Sequence, residues 1–425
     1  MIKRKFLAAL VIGVLCIAFV PGCEDDPPQS IYNESYVNTA GVPGVSTVVP
    51  EGSPYILGGV TTIVVNGSGF VTDTSKLNVY FNSTRVNVSS VTATQIKILA
   101  PNMIQDSIKV RVFITGSDKF SDLKYINIRS AMIYIKEVDS SKVAPAAITT
   151  NKQGDLFVSV ISKAGVSDGI YKLTTAGVYS QYASRAIAPP LATEPLFSGM
   201  KVKGDSLYAA RRTRLIISRN SGSGMMNIFS ASYPASQLPI IVDDFDYDNN
   251  KLLWAGGSTA NGGLISIDAT KKVVTYPLAG LLTGVIRSVR FYNGALYVSN
   301  ESSDSINAVY KIPVNADSTL GTPTKYFDLN AAVGSNFKKV YGITFDNSGN
   351  LYVGTDAAAG IYVVAPDKSF SALYNGVIGP SCRYLAWGND SYMYVVREKT
   401  SDGQIPTGLF KVDMLGKVSA PYHGQ

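Results

Sequence analysis

Acidic side chains alternate along one short stretch of the chain, Asp243-Asp244-Phe-Asp246-Tyr-Asp248. In a β-strand, alternate residues share one face, so Asp244, Asp246 and Asp248 could present carboxylates together, and calcium prefers such oxygen-rich surroundings. The stretch lacks the glycine and the later glutamate of an EF-hand loop. It also aligns with Gly342-Ile-Thr-Phe-Asp346, which makes Asp248 an ordinary turn residue. We therefore expect no cofactor, with bound calcium as the alternative.

Histidine is almost absent from the chain, because His423 near the C-terminus is the only one. Ser-His-Asp and Cys-His sites, a histidine general base and histidine-ligated metals all need this side chain. The sequence therefore argues against such enzymes unless the tail folds back. Cys382 has almost no possible histidine partner, so we expect a buried small side chain rather than a nucleophile. We expect no catalytic residues.

The elements that must position these residues are strands. Short alternating runs such as Lys76-Leu-Asn-Val-Tyr-Phe and Lys109-Val-Arg-Val-Phe-Ile recur between Gly, Asn, Asp and Ser residues, and helical periodicity is nearly absent. This pattern predicts an all-β chain. Hydrophobic residues make up 46%, which is enough for a packed core. The chain is mildly basic and has no run of five or more Lys and Arg residues, so we expect no nucleic-acid partner.

Residues 41–130 form a first unit of about seven short strands with glycine-rich turns, which is typical of an immunoglobulin-like sandwich. The unit contains Gly58-Gly59, Asn66-Gly67-Ser68-Gly69-Phe70, Val79-Tyr80-Phe81-Asn82 and Ile108-Lys-Val-Arg-Val-Phe. These motifs resemble the IPT/TIG family, although Asn82 stands where that family usually has glycine. The resemblance implies a spacer or interaction module.

Residues 131–425 contain an internal repeat. Its second strand carries an aromatic residue in six copies, with spacings that fit four-stranded propeller blades: Phe157, Tyr208, Trp254, Tyr297, Tyr352 and Tyr394. We expect these side chains to form blade cores. The segment Gly342-Ile-Thr-Phe-Asp-Asn-Ser-Gly-Asn-Leu-Tyr-Val-Gly-Thr355 resembles the NHL repeat. The sequence thus predicts an IPT/TIG sandwich followed by a six-bladed NHL-like β-propeller, with residues 131–138 closing the ring on the last blade.

Aligning the six copies predicts a binding rim on one face of the propeller, where loops enter the first strands and leave the second strands. Arginine offers two-pronged contacts to carboxylate or sulfate, and tyrosine rings can stack on sugars. The alternative is that these are loop charges paired with Asp and Glu. Lys201, Asp246, Arg290 and Thr344 fall on the polar side of the first strands. The predicted ligand-binding residues are Arg211, Arg212, Asp244, Arg287, Asn300, Tyr341, Asp356, Arg383, Tyr384 and Arg397.

The N-terminus is predicted to be an export signal, with Lys3, Arg4 and Lys5 before a run of apolar residues that is short for a membrane span. Residues 1–22 form this signal and residues 23–40 a tether. Val20, Gly22 and Cys23 resemble a bacterial lipoprotein signal, which implies that Cys23 is lipidated. The acidic run Glu24-Asp25-Asp26 resembles the export signal of Bacteroidetes-type surface lipoproteins. We expect an outer-membrane location facing the cell exterior, with membrane contact through the lipid only.

This organisation resembles surface lipoproteins of polysaccharide-utilisation systems. The resemblance implies a non-catalytic binder of a polysaccharide or oligosaccharide, with the rim as its site. It leaves open whether the glycan is acidic and whether outer-membrane transport proteins are partners. Two alternatives stay open. One is a lactonase-type or lyase-type propeller enzyme that uses Asp244, Asp246, an arginine and a carboxylate-bound cation. The other is a protein-interaction platform in an outer-membrane complex.

Overall fold

The computed structural model describes residues 40–138, 143–162, 167–183, 197–211, 214–219, 227–228, 238–258, 263–278, 282, 284–302, 307–334, 338–398 and 407–421. The signal, nearly all of the tether, Cys23, Arg212 and His423 lie outside these residues. Within the described ranges, no helix is both long and apolar enough to cross a membrane.

The N-terminal part is a sandwich of two sheets. One sheet has the order β1 (Gly44–Pro50), β3 (Thr62–Ser68), β7 (Gln95–Leu99) and β6 (Ser90–Val91). The other has the order β2 (Ile56–Leu57), β9 (Lys124–Arg129), β8 (Gln105–Ile114), β4 (Leu77–Phe81) and β5 (Thr84–Val86). The alternating buried side chains of both sheets face one core, as at Leu77, Val79 and Phe81. The structure has more strands than the predicted seven, because β2 and β6 span two residues each and are too short to show alternation.

Asn82 occupies the turn between β4 and β5 in the left-handed region, with φ of 54°. Asparagine is one of the few residues other than glycine that adopts this conformation readily. Its side-chain Oδ1 accepts a hydrogen bond from the Lys109 backbone amide at 3.0 Å, and its backbone amide donates to the Lys109 carbonyl at 2.7 Å. Asn82 therefore replaces the family's usual glycine without loss of the turn.

The C-terminal part is a propeller of six four-stranded blades. In the first three blades the strands are β11 (Val143–Thr150), β12 (Leu156–Ser162), β13 (Ser167–Leu173) and β14 (Tyr179–Ala183); β15 (Gly199–Lys203), β16 (Ser206–Arg211), β17 (Arg214–Arg219) and β18 (Asn227–Ile228); and β19 (Ile241–Tyr247), β20 (Leu253–Ser258), β21 (Gly263–Ile267) and β22 (Val273–Tyr276).

The fourth and fifth blades contain β23 (Val285–Tyr292), β24 (Ala295–Glu301), β25 (Ala308–Pro313) and β26 (Thr324–Asp328), then β27 (Val340–Phe345), β28 (Leu351–Thr355), β29 (Ile361–Val364) and β30 (Phe370–Ala372). The sixth blade contains β31 (Cys382–Trp387), β32 (Tyr392–Arg397) and β33 (Gly408–Asp413). Its fourth strand is β10 (Met132–Tyr134). The helix α1 (Leu329–Val333) follows β26, and a 3₁₀ turn (Lys136–Val138) follows β10.

The ring closes through a strand from the start of the domain. Strand β10 pairs antiparallel with β33, with Met132 opposite Val412 and Tyr134 opposite Phe410. The first strands of neighbouring blades contact one another round the whole ring, including β31 against β11. These six first strands therefore line a central channel. The predicted closure by residues 131–138 is confirmed.

The repeat aromatics lie in the blade cores, as predicted. Trp254 and Tyr352 are completely buried, and Phe157, Tyr297 and Tyr394 are nearly so. Tyr208 is partly buried and packs against the hydrophobic cluster that contains Tyr247. Cys382 is a buried free thiol, and burial raises its pKa to about 12.

An aspartate organises the turn between the first and second strands in two blades. Asp346 Oδ1 accepts the amides of Ser348 and Asn350, and its Oδ2 accepts the Tyr352 hydroxyl at 3.0 Å. Asp248 uses the same geometry, since its Oδ2 accepts the Trp254 indole N–H at 3.0 Å. Both oxygens of Asp248 thus serve the turn and the blade core. The alignment that treated Asp248 as a turn residue is correct.

The sandwich rests directly on the last blade. The hydroxyl of Tyr55 donates to the Asp413 carboxylate at 2.8 Å, and the Arg129 guanidinium lies 4.8 Å from the centre of the Tyr55 ring. Burial and the Asp413 contact raise the pKa of Tyr55 to about 12, so this hydroxyl keeps its proton at physiological pH. The N-terminal domain is therefore fixed against the propeller through β33, the strand to which β10 is paired.

Candidate functional site

Irregular register near the start of the first strands places pairs of consecutive residues at the channel. The strand β19 shifts register between Val242 and Asp244, β23 between Ile286 and Ser288, and β31 between Cys382 and Tyr384. A bulge adds a residue to one strand and re-aims its side chain. Asp243, Arg287 and Arg383 are these additional residues.

Arg287 and Arg383 of the predicted rim are paired with nearby carboxylates. Arg287 bonds Asp243 through NH1 at 2.8 Å and Glu301 through Nε at 2.6 Å. Glu301 also contacts Lys339 at 2.7 Å, and Arg383 contacts Glu398 at 3.0 Å. We call these residues the rim network: Asp243, Arg287, Glu301, Lys339, Arg383 and Glu398. Its three cations face three carboxylates, which matches the alternative that the rim charges are paired.

Space at the rim is small. Asp243, Arg287, Tyr341, Arg383 and Tyr384 line a cavity of about 10 Å³ together with Ser198. That volume suits roughly one water molecule. The structure therefore brings four predicted ligand residues, Arg287, Tyr341, Arg383 and Tyr384, together around a space too small for a sugar.

Four other predicted site residues have mainly structural surroundings. Asn300 is buried and its Oδ1 accepts the Gly284 amide at 3.2 Å, while Asp356 accepts the Lys339 amide at 2.6 Å. The Arg397 guanidinium lies 4.4 Å from the centre of the Phe410 ring in the neighbouring strand. Arg211 is buried at the end of β16. None of these four lines the rim cavity, and Arg212 lies outside the described residues.

Deeper in the channel is a second charged cluster, which we call the channel network: Lys201, Asp244, Asp246, Ser288 and Arg290. Asp244 Oδ2 accepts the Ser288 hydroxyl at 2.6 Å and the Arg290 guanidinium at 2.6 Å. Asp246 accepts the backbone amides of Tyr247 at 3.0 Å and Phe291 at 2.9 Å. The predicted ligand residue Asp244 is therefore tied into the interior of the channel.

The two carboxylates of the channel network have pKa values that are shifted in opposite directions. Burial acts to raise the pKa of Asp244, but the Arg290 and Lys201 cations outweigh it and hold this pKa below its usual value. Burial raises the pKa of Asp246 in spite of the same two cations. Burial also lowers the pKa of Lys201 to about 8, and the neighbouring Arg290 contributes to that decrease. Asp244 is thus the ionised partner of two partly buried cations.

A larger cavity than that at the rim lies at the opposite end of the channel, where the first strands end. We call it the strand-end cavity. It has a volume of about 320 Å³ and is lined by Lys201, Asp246, Arg290, Thr344, Trp387 and Asn389, among others. Residues 418–421 cross this end and also line it. They are held by hydrogen bonds from the Asn347 amide to the Val418 carbonyl and from the Ala420 amide to the Phe345 carbonyl.

The sequence contained part of the signal for this cavity. Lys201, Asp246, Arg290 and Thr344 fall on the polar side of the first strands, yet only the rim positions and Asp244 were assigned to the site. Trp387 and Asn389 carried no distinguishing pattern. Among the residues that the structure describes, no group of three or more His, Cys, Asp and Glu side chains could hold a metal.

Comparison with known proteins identifies the first domain. Residues 43–126 match the IPT/TIG domain family. The N-terminal sandwich is an IPT/TIG domain. The chain as a whole combines this domain with a six-bladed propeller. No curated protein matches the chain.

Several solved structures resemble most of the chain. An auxiliary nutrient binding protein from Bacteroides thetaiotaomicron has a TM-score of 0.48 and 12% identity, over 89% of this chain and 98% of that one. The calcium-binding protein regucalcin from Agrobacterium tumefaciens has a TM-score of 0.49 and 14% identity, over 67% and 94%. A catalytically inactive virginiamycin B lyase from Staphylococcus aureus has a TM-score of 0.44 and 13% identity, over 68% and 96%. Likeness at this level carries no argument about ligand or reaction.

Proposed function

We propose that this protein is a non-catalytic lipoprotein that binds a saccharide at the cell exterior through its propeller, with the IPT/TIG domain as a fixed support. The observation that carries the proposal is the strand-end cavity. Its volume of about 320 Å³ lies within the usual range of small-molecule sites, roughly 300–1,000 Å³. By contrast, the rim cavity is about 10 Å³. We therefore place the saccharide at the strand-end cavity rather than at the rim.

The side chains of this cavity suit a sugar. Thr344 and Asn389 offer hydroxyl and amide groups that both donate and accept hydrogen bonds, as sugar hydroxyls do. Trp387 supplies a large aromatic side chain in the same cavity. Lys201 and Arg290 stand on first strands, whose positions are fixed by both neighbouring blades. A cavity with a few polar groups on a rigid scaffold is the usual form of a binding site.

We favour binding over catalysis because of how the two channel carboxylates are held. The Oδ2 atom of Asp244 already accepts hydrogen bonds from the Arg290 guanidinium and the Ser288 hydroxyl. Each carboxylate oxygen of Asp246 accepts a hydrogen bond from a backbone amide. A lactonase-type or lyase-type reaction would need such a group to coordinate a cation or to move a proton. These hydrogen bonds favour a structural role for both carboxylates.

Binding measurements against a broad panel of polysaccharides and oligosaccharides test the proposed function directly. The mature chain carrying Cys23→Ser, which removes the proposed lipid attachment, should be retarded in gels that contain its polysaccharide. Calorimetry should then show binding of the matching oligosaccharide. Thr344→Val keeps the side-chain volume but deletes one cavity hydroxyl, so we expect affinity to fall roughly 2- to 10-fold.

The rim provides the matched control for that experiment. Arg287→Ala combined with Arg383→Ala should leave the affinity unchanged, because both residues lie at the other end of the channel. If this double variant abolishes binding while Thr344→Val leaves it intact, the rim is the binding site instead. If no saccharide in a broad panel binds, the proposed function is wrong.

The anchoring part of the proposal has its own test. In a bacterium that processes lipoproteins, the chain should incorporate a labelled fatty acid and fractionate with the outer membrane. Cys23→Ser should lose the label and leave the membrane fraction. Protease added to intact cells should degrade the wild-type chain. Protection from that protease would contradict the exterior location, and a label that persists in Cys23→Ser would contradict the assignment of Cys23.

A further inference from the structure

The described charges at the strand-end cavity are unequal. Lys152, Lys201 and Arg290 line it, against the single carboxylate of Asp246. A further acid, Asp244, lines an adjoining cavity of about 10 Å³ on the rim side of the same channel. Even when Asp244 is counted, the cations outnumber the carboxylates. The cavity as a whole therefore has an excess of positive charge, to which Lys152 contributes just after the end of β11, whereas Lys201 and Arg290 lie with Asp244 and Asp246 at its inner end.

Two of these cations lie deep in the channel. Lys201 is on β15 and Arg290 is on β23, on opposite sides of β19. Their separation is short enough for Arg290 to depress the pKa of Lys201, and both line the strand-end cavity. Asp244 and Asp246 offset part of the repulsion between these two cations, and because both cations also line the open cavity, an anion bound there would contact both of them.

The remaining surfaces of the cavity restrict what such an anion could be. Thr149, Thr344 and Asn389 provide neutral polar groups, and Tyr292 and Trp387 provide aromatic side chains. A small inorganic ion would leave these groups unused. A ring with several hydroxyls and one charged substituent would engage both the neutral wall and the two cations.

We infer that the strand-end cavity recognises an acidic sugar unit, whose carboxylate lies between Lys201 and Arg290. This inference rests on the proposed function and specifies its ligand. The carboxylate has two oxygens, so it can contact the ammonium and the guanidinium at the same time. The ring would then lie towards the open end, near Thr344, Trp387 and Asn389.

The test compares uronic-acid oligosaccharides with neutral oligosaccharides of the same linkage and length, using calorimetry on the Cys23→Ser chain. We expect the uronate to bind at least 10-fold more tightly. Lys201→Met should weaken uronate binding roughly 10- to 100-fold, because it removes a charge-assisted contact, and should weaken neutral binding by a smaller factor. Lys201→Arg keeps the charge and should retain most of the uronate affinity.

The matched control is Lys203→Met, the same substitution two residues along β15. Lys203 lies 3.9 Å from the centre of the Tyr247 ring and does not line the cavity. This variant should bind uronate like the parent chain. An equal loss in both lysine variants would overturn the assignment of Lys201.

The outcomes separate this inference from the proposed function. Binding of neutral oligosaccharides as tightly as uronates would overturn the inference and leave saccharide binding standing. Preference for a sulfated oligosaccharide over the uronate would overturn the carboxylate assignment. Absence of binding to every saccharide would remove both. Because the wild-type comparison decides these cases, the result does not depend on whether a variant folds.

Discussion

Asp244→Ala should lower the free energy of unfolding by about 3–5 kcal/mol, the loss expected when one partner of a buried ion pair is removed. The substitution removes the carboxylate that Arg290 contacts at 2.6 Å. It also removes the acceptor of the Ser288 hydroxyl and of the Val289 amide. Arg290 and Lys201 would remain partly buried near each other without this carboxylate. Denaturant unfolding at pH 7 would measure the loss.

A double variant separates the ion pair from general damage at the site. Asp244→Leu combined with Arg290→Met removes both charges and keeps much of the side-chain volume. Replacing both partners of a buried pair is often neutral, so the double variant should recover most of the stability that Asp244→Leu alone loses. Asp106→Ala, an exposed carboxylate in β8, should cause no measurable change. If Asp244→Ala costs less than about 1 kcal/mol, the channel network is not a stabilising element.

The pH dependence of stability gives an independent check. The pKa of Asp244 in the folded chain lies below its ordinary value of 3.8. A carboxyl group with a lowered folded pKa stabilises the fold above its unfolded pKa, and this contribution is lost as pH falls through the folded pKa. The wild type should therefore lose part of its stability below about pH 4 that Asp244→Ala never had. Parallel acid profiles for the two chains would contradict this role.

The sequence was sufficient for the architecture because blade formation depends on local patterns. The aromatic residue in each second strand marks a position that must be buried, and the structure buries Trp254, Tyr297 and Tyr352 there. The turn aspartates Asp248 and Asp346 repeat at equivalent places because each caps the same turn. At these positions the repeated residue type is the one that the blade requires for its core or its turn. The structure confirms the predicted six blades.

The site was predicted less well because it depends on partners that are distant in sequence. Simple alternation puts Asp244 and Asp246 on the channel side, but the register shift that also turns Asp243 inward is invisible in that pattern. Counting arginines suggested a cationic rim. Glu301 at the end of β24 and Glu398 just after β32 pair with Arg287 and Arg383, and sequence offers such pairing only as an alternative, without naming which acid meets which arginine. Which end of the channel stays open depends on the side chains that all six first strands place there. The sequence of a single repeat does not show their combined volume.

Ile133→Pro should destabilise the propeller by about 2–4 kcal/mol, because it removes part of the strand pairing that closes the ring. Bonded pairs alternate in an antiparallel ladder. The Ile135 amide bonds the Leu409 carbonyl, and the Asp413 amide bonds the Ala131 carbonyl, each at 2.9 Å. Ile133 and Lys411 are opposite each other between those two pairs, so they form the next bonded pair. Proline at position 133 cannot donate to Lys411.

The side chain at this position makes the backbone effect easy to isolate. Ile133 is 49% exposed, so Ile133→Ala removes little buried surface while keeping the amide, and it should change stability by about 0.5 kcal/mol or less. Thermal unfolding of the two variants would measure the difference. Hydrogen exchange would locate it: amides of β33 should lose protection in Ile133→Pro, while those of β20 in the third blade keep it.

The result would also show how the two domains depend on one another. The IPT/TIG domain contacts β33 through the hydrogen bond between Tyr55 and Asp413. The strand that closes the ring, β10, lies in the same sheet as β33. Loosening β10 should therefore also increase exchange of amides around Tyr55. If β33 and the surroundings of Tyr55 both keep full protection in Ile133→Pro, ring closure does not depend on β10, and the packing between β31 and β11 must hold the last blade in place.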